Sequence, residues 1–166
     1  MPNDTKAPAL PDTTLLAWID DLNRRYGHLI DDGDFEGWPS LFAEDGLYKI
    51  TTRWNHERNM PTGLMLCYSR AMMEDRISAL RTANVYEPHS YRHLIDPPLV
   101  ISDVDGMISV QTSFVAFRTM QSGASEVFCA GKYLDKIIKT ATGLEFSERI
   151  VVCDSESIDT LIVIPL

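Results

Sequence analysis

The chain has 166 residues and a mass of 18.7 kDa, a size that suits one domain. Its 15 Lys and Arg against 24 Asp and Glu give a formal net charge of −9, so binding to nucleic acid or to an anionic lipid surface is not expected. The sequence has neither an apolar run near the ~20 residues of a membrane span nor the basic start and apolar block of a signal peptide. Three widely spaced Cys favour a reducing compartment over a disulfide framework. We therefore expect a cytoplasmic protein that works with proteins or small molecules.

The domain is predicted to begin with a helix that follows an irregular arm. Residues 1–12 carry three Pro and no periodic pattern, so we interpret them as a flexible arm or as a strap that lies on a neighbour, with a single domain over residues 13–166. Apolar residues at steps of three and four predict a first helix, capped by Thr13 or Thr14 and closed by Gly33. The apolar face of this helix contains Leu15, Ile19, Leu22, Tyr26 and Leu29.

A second, shorter helix is predicted next, with Asp34 as its cap and Pro39 either starting a helical turn or kinking it. The alternating residues 47–52 predict a strand because they are rich in β-forming side chains. Residues 53–68 have no clear period and are interpreted as a loop. A third helix is predicted to follow Ser69 as its cap and to run through about Arg81.

The second half of the chain predicts strands only. Residues 99–104 and 107–120 are separated by an Asp-Gly pair, the strongest short hairpin signal. Two more antiparallel strands are predicted over 126–138, with a bulge at Gly131, and over 144–153. One face of the last of these strands is expected to hold Leu144, Phe146, Glu148, Ile150 and Val152.

A final strand is predicted at residues 159–164, within the apolar ending DTLIVIPL. A segment this apolar must be shielded from solvent, either because it is an inner strand of the sheet or because a partner chain covers it. Helices followed by strands indicate an α+β fold, in which a cone-shaped, curved antiparallel sheet wraps on three N-terminal helices. This architecture serves enzymes and inert assembly subunits alike, so the fold alone does not decide the function.

The segment 86–96 is rich in groups that can bind metals. His89 and His93 are four residues apart and Asp96 follows, which is the composition of an iron site with two His and one carboxylate. A helix would place both His on one face, but Pro88 makes a helix here short at best. On a strand, residues four apart lie ~13 Å apart, too far for one metal ion. We therefore favour hydrogen bonds to the fold or to a partner.

Acid–base chemistry at the mouth of the cone is a second possibility. Tyr48 and His93 could lie there beside a carboxylate, either Asp32 or Asp45. A His beside a carboxylate can act as a general base in dehydration or isomerisation. A Tyr in a half-buried strand is more often a packing residue. The alternative function is therefore a stand-alone dehydratase or isomerase-like enzyme, or a small-ligand binder.

Four segments carry a resemblance to a known family. They are 38–48 (WPSLFAEDGLY), 74–81 (EDRISALR), 91–93 (YRH) and 148–161, which contains ER, VCD and DTL. These segments resemble the small (β) subunits of bacterial aromatic-ring-hydroxylating dioxygenases, including those of terephthalate dioxygenase and salicylate 5-hydroxylase. The resemblance runs over residues 14–166, and the helix motif together with the ending makes it fairly specific.

The resemblance implies the cone-shaped fold of nuclear transport factor 2 and scytalone dehydratase. It also implies an α3β3 hexamer in which the large subunit holds a Rieske [2Fe–2S] cluster, a mononuclear Fe(II) and the substrate pocket. Electrons would come from NAD(P)H through a reductase, and an aromatic carboxylate is the favoured substrate. The β subunit would be mainly structural, with no catalytic residue and no cofactor or metal ligand. This division agrees with the sequence, in which no Cys has a His within three residues.

Contact residues toward the large subunit, or toward other β subunits, are expected among Arg and aromatic side chains, which are favoured at protein interfaces. The predicted contact residues are Trp54, Arg70, Arg76, Arg81, Tyr91, Arg92 and His93.

Overall fold

The computed structural model of the protein describes residues 12–82, 86–156 and 162–166. The predicted arm, apart from its last residue, lies outside these ranges. The helices are α1 (Thr13–Asp31), α2 (Arg53–Glu57) and α3 (Arg70–Thr82), and a 3₁₀ turn spans Trp38–Leu41. The strands are β1 (Phe42–Thr52), β2 (Met65–Cys67), β3 (His89–Ile95), β4 (Leu99–Val104), β5 (Met107–Met120), β6 (Ser125–Thr140) and β7 (Gly143–Cys153).

The first helix forms where the apolar spacing predicts it, but its cap differs. The Asp12 carboxylate, rather than the hydroxyl of Thr13 or Thr14, caps α1 by accepting the Thr14 N–H at 2.9 Å. Gly33 follows the helix with φ of 75°, a left-handed conformation that glycine adopts without strain. The buried stripe of α1 includes Ile19, which is fully buried in the core.

The region after α1 is less helical and more extended than the sequence predicts. Only the 3₁₀ turn forms in place of the second helix, with Pro39 in its first positions. The strand β1 already begins at Phe42, before the alternating run that predicted it. The segment interpreted as a loop contains α2 and the short strand β2. The Thr52 hydroxyl caps α2 by accepting the Asn55 N–H at 3.2 Å.

The strands form one mixed sheet with the order β2-β1-β7-β6-β5-β3, and β4 also pairs with β5. The meander from β4 to β7 is antiparallel, as predicted. However, β1 runs parallel to β7, with Tyr48 opposite Arg149, so the prediction of a wholly antiparallel sheet is corrected. Local alternation predicts a strand but not its direction relative to a strand a hundred residues away.

The predicted bulge at Gly131 does not form, because Gly131 pairs in register with Phe114 and Cys153. The extra residue on β6 is Phe128, because Ala116 pairs with Cys129 and the next residue of β5 already pairs with Val127. Gly131 instead allows a close approach between strands: a Cβ atom there would lie 2.0 Å from the main-chain oxygen of Val152.

A bulge on β7 changes which residues face the core. Lys136 pairs with Glu148 but Ile137 pairs with Phe146, so Ser147 is the extra residue on β7. Because side chains alternate along a strand, one extra residue moves the following residues to the other face. The residues of β7 that share the core-facing side are therefore Leu144, Phe146, Arg149, Val151 and Cys153. The predicted face is wrong beyond Phe146, although its last member, Val152, is also buried.

The helix α1 lies across the inner face of the sheet, where it contacts both β3 and β7. The core between them is rich in aromatic rings, such as Tyr26, Trp38 and Tyr133, which are all fully buried. Among the described residues, no helix is both long and apolar enough to cross a membrane. The α+β fold is confirmed, with α1 and α3 packed against strands of the sheet.

Candidate subunit surface and the filled interior of the fold

The inner face of the sheet holds a fully buried ion pair. Arg149 Nε and Nη2 donate to the two carboxylate oxygens of Asp135 at 2.9 and 2.8 Å, and neither side chain is exposed. Arg149 Nη2 also donates to Asn23 on α1, whose amide donates to the Thr112 hydroxyl at 3.3 Å. The ion pair and its hydrogen bonds therefore link α1 to the neighbouring strands β5, β6 and β7, and they are shielded from solvent.

Aromatic rings surround this guanidinium. Its central carbon lies 4.1 Å from the ring centroid of Tyr26, 4.2 Å from that of Tyr133 and 4.0 Å from that of Phe146. Burial alone would lower the pKa of Arg149, but Asp135 beside it stabilises the charged form, so the pKa lies above its ordinary value. Arg149 thus stays charged and belongs to the core.

The tail, residues 162–166, fills the same interior. Its apolar side chains are buried, but it forms no strand, and the rest of the predicted terminal strand lies outside the described residues. The hydroxyls of Tyr26 and Tyr48 lie 2.5 and 3.0 Å from the main-chain oxygen of Leu166, and the Leu166 N–H donates to the Tyr48 hydroxyl at 3.0 Å. The chain itself therefore covers this apolar segment, without a partner chain.

Tyr48 does not lie at an open mouth of the cone. It is fully buried, and its hydroxyl is occupied by the tail and by the Tyr26 hydroxyl 3.1 Å away. Burial raises the pKa of Tyr26 to about 12 and raises that of Tyr48 well above its ordinary value. Both phenols are therefore neutral and act as structural hydrogen-bonding groups.

His93 has a carboxylate partner, but it is neither of the two predicted ones. Its Nδ1 lies 2.6 Å from an oxygen of Asp31, the last residue of α1, and its main-chain N–H donates to the other oxygen at 2.8 Å. The predicted partners were Asp32 and Asp45. The His93 side chain is fully buried, and its Nε2 has no hydrogen-bond partner among the described residues. The pair fastens the end of α1 to β3.

Residues His89–Ile95 form the strand β3 and not the helix that would place both His on one face. His89 and His93 both lie on this strand, four residues apart, and His89 Nδ1 lies 2.8 Å from the main-chain oxygen of Glu87. Within residues 12–82, 86–156 and 162–166, no group of three or more His, Cys, Asp or Glu side chains is arranged to hold a metal ion.

Three of the predicted contact residues are exposed. Trp54 on α2 is 41% exposed, and the Arg58 guanidinium lies 4.1 Å from its ring centroid. The Arg92 side chain is 61% exposed. Arg81 is exposed but binds both oxygens of Glu36 at 2.8 and 2.9 Å, and this contact lowers the pKa of that carboxyl to about 2.

Two more predicted contact residues are partly buried and serve the fold. Arg70 on α3 donates to the main-chain oxygen of Phe42. Arg76, six residues further along α3, donates to the main-chain oxygen of Ile162 at 3.1 Å. These side chains fix the start of β1 and the tail on α3, and only their remaining exposed atoms are available to a partner.

Tyr91 and His93 are buried, although both were predicted as contact residues. The Tyr91 ring stacks on Phe128 with 5.3 Å between centroids, and His93 is held by Asp31. Both side chains point to the inner face because β3 alternates, leaving Arg92 between them on the outer face. In this conformation both side chains pack inside the fold.

Sequence reasoning missed the pair of Asp135 and Arg149. Each stands in an apolar strand, in YLDKII and in SERIVV, where a charged residue on the buried face requires a partner. The two opposite charges in neighbouring predicted strands were a usable signal. The register that brings them together depends on the bulge at Ser147, which has no sequence signature.

Comparison with known proteins places this fold in a family. The family model described as "Ring hydroxylating beta subunit" matches residues 25–160. Subunit beta 1 of the terminal oxygenase component of terephthalate 1,2-dioxygenase from Comamonas sp is 41% identical over 145 residues, which cover 87% of this chain and 94% of that one. The small subunit of anthranilate 1,2-dioxygenase from Burkholderia cepacia is 36% identical over 144 residues, covering 87% and 89%.

Solved structures agree with these relatives. A chain assigned as the beta subunit of an aromatic-ring-hydroxylating dioxygenase from Novosphingobium aromaticivorans superposes with a TM-score of 0.84 at 32% identity, covering 92% of this chain and 97% of that one. A chain from the same organism assigned as a scytalone dehydratase shares the fold, with a TM-score of 0.66 at 13% identity and coverage of 86% and 85%. The predicted fold and family are confirmed. The chain belongs to the family of ring-hydroxylating beta subunits, and it is therefore a subunit of an aromatic-ring-hydroxylating dioxygenase.

Proposed function

We propose that this β subunit is a scaffold that positions catalytic α subunits and takes no part in the chemistry itself. The observation that carries the proposal is the filled interior, where the tail occupies the hydroxyls of Tyr26 and Tyr48. In an enzyme of this fold, the interior would have to admit a substrate. Here Arg149 and Asp135 neutralise each other inside the core and reach no solvent.

The partner in this proposal is the large α subunit of the oxygenase, in an assembly of three α and three β subunits. The α subunit would carry the Rieske [2Fe–2S] cluster and the mononuclear Fe(II), with electrons from NAD(P)H delivered by a reductase. Cys thiolates with His, and two His with a carboxylate, are the ligand sets that such centres require. The buried His93 and its single carboxylate neighbour Asp31 do not make up either set.

The proposed outer contacts use the predicted residues that remain accessible. Trp54 and Arg92 are the best candidates because their side chains are exposed and Arg and Trp are frequent at the centres of interfaces. Arg70, Arg76 and Arg81 would contribute through the atoms that their internal contacts leave free.

We propose an anionic aromatic acid as the substrate of the assembled oxygenase. The named relatives are subunits of dioxygenases for terephthalate and anthranilate, which are both benzene carboxylates. The substrate pocket would lie in the α subunit. We also place the assembly in the cytoplasm, where the buried thiols of Cys67, Cys129 and Cys153 would stay reduced.

Co-expression of this chain with its large α subunit tests the proposal. The expected result is a stable complex that hydroxylates a benzene carboxylate and carries all of its iron in the large subunit. The matched control is the β subunit purified alone, which should contain no stoichiometric iron and catalyse no turnover. Turnover by the isolated β subunit, or a large subunit that is fully active and stable without it, would overturn the proposal.

A further inference from the structure

Four methionines between residues 60 and 73 differ sharply in exposure. Met60 and Met72 are 40% and 41% exposed, whereas Met65 and Met73 are buried. Met72 and Met73 are neighbours on α3, so one turn of this helix presents one thioether to solvent and the next to the core. A thioether is oxidised fastest where an oxidant can reach its sulfur. Within this group, Met60 and Met72 are therefore the residues open to an oxidant in solution.

The sulfur of Met72 is also held in a fixed position. It accepts the main-chain N–H of Tyr68 across the start of α3, with 3.3 Å between the nitrogen and Sδ. The Ser69 hydroxyl accepts the Met72 N–H at 3.3 Å, so Ser69 caps the helix. Among the described residues, no group donates to the sulfur of Met60. The two exposed thioethers are therefore similar in exposure and differ in this hydrogen bond.

The start of α3 has the form of a capping box in which a sulfur replaces an oxygen. In the usual box, a Glu or Gln three residues after a Ser or Thr cap reaches back to the main-chain N–H of the cap. Met72 stands at that third position and reaches the N–H one residue before Ser69. A thioether sulfur is a weak acceptor, whereas the oxygen of a sulfoxide is a strong one. An oxidised Met72 is therefore compatible with the start of this helix.

We propose that Met72 is a reversible oxidation site, which hydrogen peroxide converts to a single epimer of methionine sulfoxide. A lone pair of Sδ attacks one peroxide oxygen, the S–O bond forms as the O–O bond breaks, and the leaving hydroxide takes the remaining proton as water. The sulfur loses two electrons and the peroxide gains them. Because the Tyr68 N–H occupies one lone pair, the oxygen adds to the other, which fixes the chirality of the product. Rotation about the Cγ–Sδ bond then lets the new oxygen accept the same N–H, and sulfoxide reductases, one for each epimer, restore the thioether.

Peroxide treatment of the full-length chain, followed over time by peptide mass spectrometry, tests the proposal. Met60 and Met72 should each gain one oxygen about tenfold or more faster than Met65 and Met73, which are buried controls in the same molecule. The chain unfolded in urea is the second control, because all four thioethers should then react at similar rates. Oxidation of Met73 as fast as Met72 in the folded chain would overturn the proposal.

The epimer of the product is determined with the two classes of sulfoxide reductase, each specific for one epimer. One enzyme should reduce nearly all of the Met72 sulfoxide and the other very little, with an excess of one epimer of about fivefold or more. Met60 lacks the hydrogen bond and should give the two epimers in similar amounts, as should Met72 in the unfolded chain. Equal amounts of both epimers at Met72 in the folded chain would overturn the inference.

Substitutions by Gln, which imitates the polarity of the sulfoxide, test whether the fold accepts the product. Met72→Gln completes the usual capping box with Ser69, so its melting temperature should equal or exceed that of the matched control Met60→Gln. Met73→Gln buries an amide in the core and should melt about 5 °C or more below both. A similar loss in Met72→Gln would overturn the inference. These measurements concern this chain alone, so their failure would leave the scaffold proposal intact.

Discussion

The inner and outer faces of the sheet differ in what their side chains contact. On the inner face, the charges of Asp135 and Arg149 meet each other, and the tail covers the tyrosine hydroxyls. On the outer face, Leu94 and Leu99 are about 60% exposed. The contrast teaches that the inner face stabilises this one chain, whereas the outer face is where partners can add to it.

The same contrast explains how one architecture can serve two functions. A curved sheet around a helix leaves an interior that can either admit a ligand or be filled by the protein's own residues. In this chain, the bulge at Ser147 turns Arg149 inward, and the buried tail bonds to the hydroxyls of Tyr26 and Tyr48. We therefore expect changes inside to alter stability and changes outside to alter assembly.

The largest expected effect is the loss of stability when the buried ion pair is broken. Asp135→Ala leaves the Arg149 guanidinium buried without its counter-charge, so we expect the free energy of unfolding to fall by about 3–5 kcal/mol. Urea unfolding followed by circular dichroism measures it. The control is Asp21→Ala, which breaks the exposed pair with Arg25 and should cost less than about 1 kcal/mol. Equal losses in the two variants would contradict the account of the inner face.

A pH titration of stability is expected to show the next largest effect. An ordinary phenol in the unfolded chain ionises near pH 10, whereas burial keeps Tyr26 protonated to about pH 12. The unfolded state therefore binds fewer protons in that range, and stability falls by about 3 kcal/mol from pH 10 to 12 for this group. Below pH 10 the contribution is fully present.

Tyr26→Phe should remove this part of the alkaline decline, while Tyr48 and Tyr133, whose pKa values burial also raises, keep the rest. Tyr68→Phe changes an exposed ring and is the control. Unfolding curves between pH 9 and about pH 12 measure the slopes. An unchanged slope in Tyr26→Phe would mean that solvent reaches the interior.

Loosening the tail should have a smaller effect. Tyr48→Phe removes the hydroxyl that accepts from the Leu166 N–H and donates to its oxygen, and we expect a loss of about 1–3 kcal/mol in stability. Hydrogen–deuterium exchange at residues 162–166 should become faster in this variant and stay unchanged in Tyr68→Phe. Exchange that is already fast in the wild type would show that the tail does not close the interior.

The smallest effect is expected on catalysis by the complex. His93→Ala removes the side chain held by Asp31, and kcat/KM of the assembled oxygenase should stay within about twofold, provided that the mass of the complex is unchanged. Steady-state kinetics of the purified complex measures this. A loss of about a hundredfold or more in an intact complex would favour the alternative function, with His93 as a base.

Much of the fold was predictable because its signals are local. The spacing of α1, the Asp-Gly hairpin and the alternation of β5 each predict an element that the structure contains. The parallel pairing of β1 with β7 was not predictable in this way, since it joins residues about a hundred positions apart. The bulges were missed because the extra residues, Phe128 and Ser147, are ordinary strand residues.

The candidate site was predicted less well than the fold. His93 was correctly paired with a carboxylate in principle, but Asp31 rather than Asp32 is on the side of α1 that meets β3. A single position along a helix turns a side chain by a third of a turn, which residue spacing cannot settle without the packing. The prediction that Tyr48 lies at an opening was wrong because the tail covers its hydroxyl. The tail has irregular backbone, so residue spacing does not predict where it packs.

Native mass spectrometry of the co-expressed complex, with iron assigned to each released subunit, tests the central claim most directly. The account predicts a complex with equal numbers of large and β subunits, from which a β trimer is released without bound iron. Iron retained on the released β subunits, or an active complex that contains none of them, would contradict it.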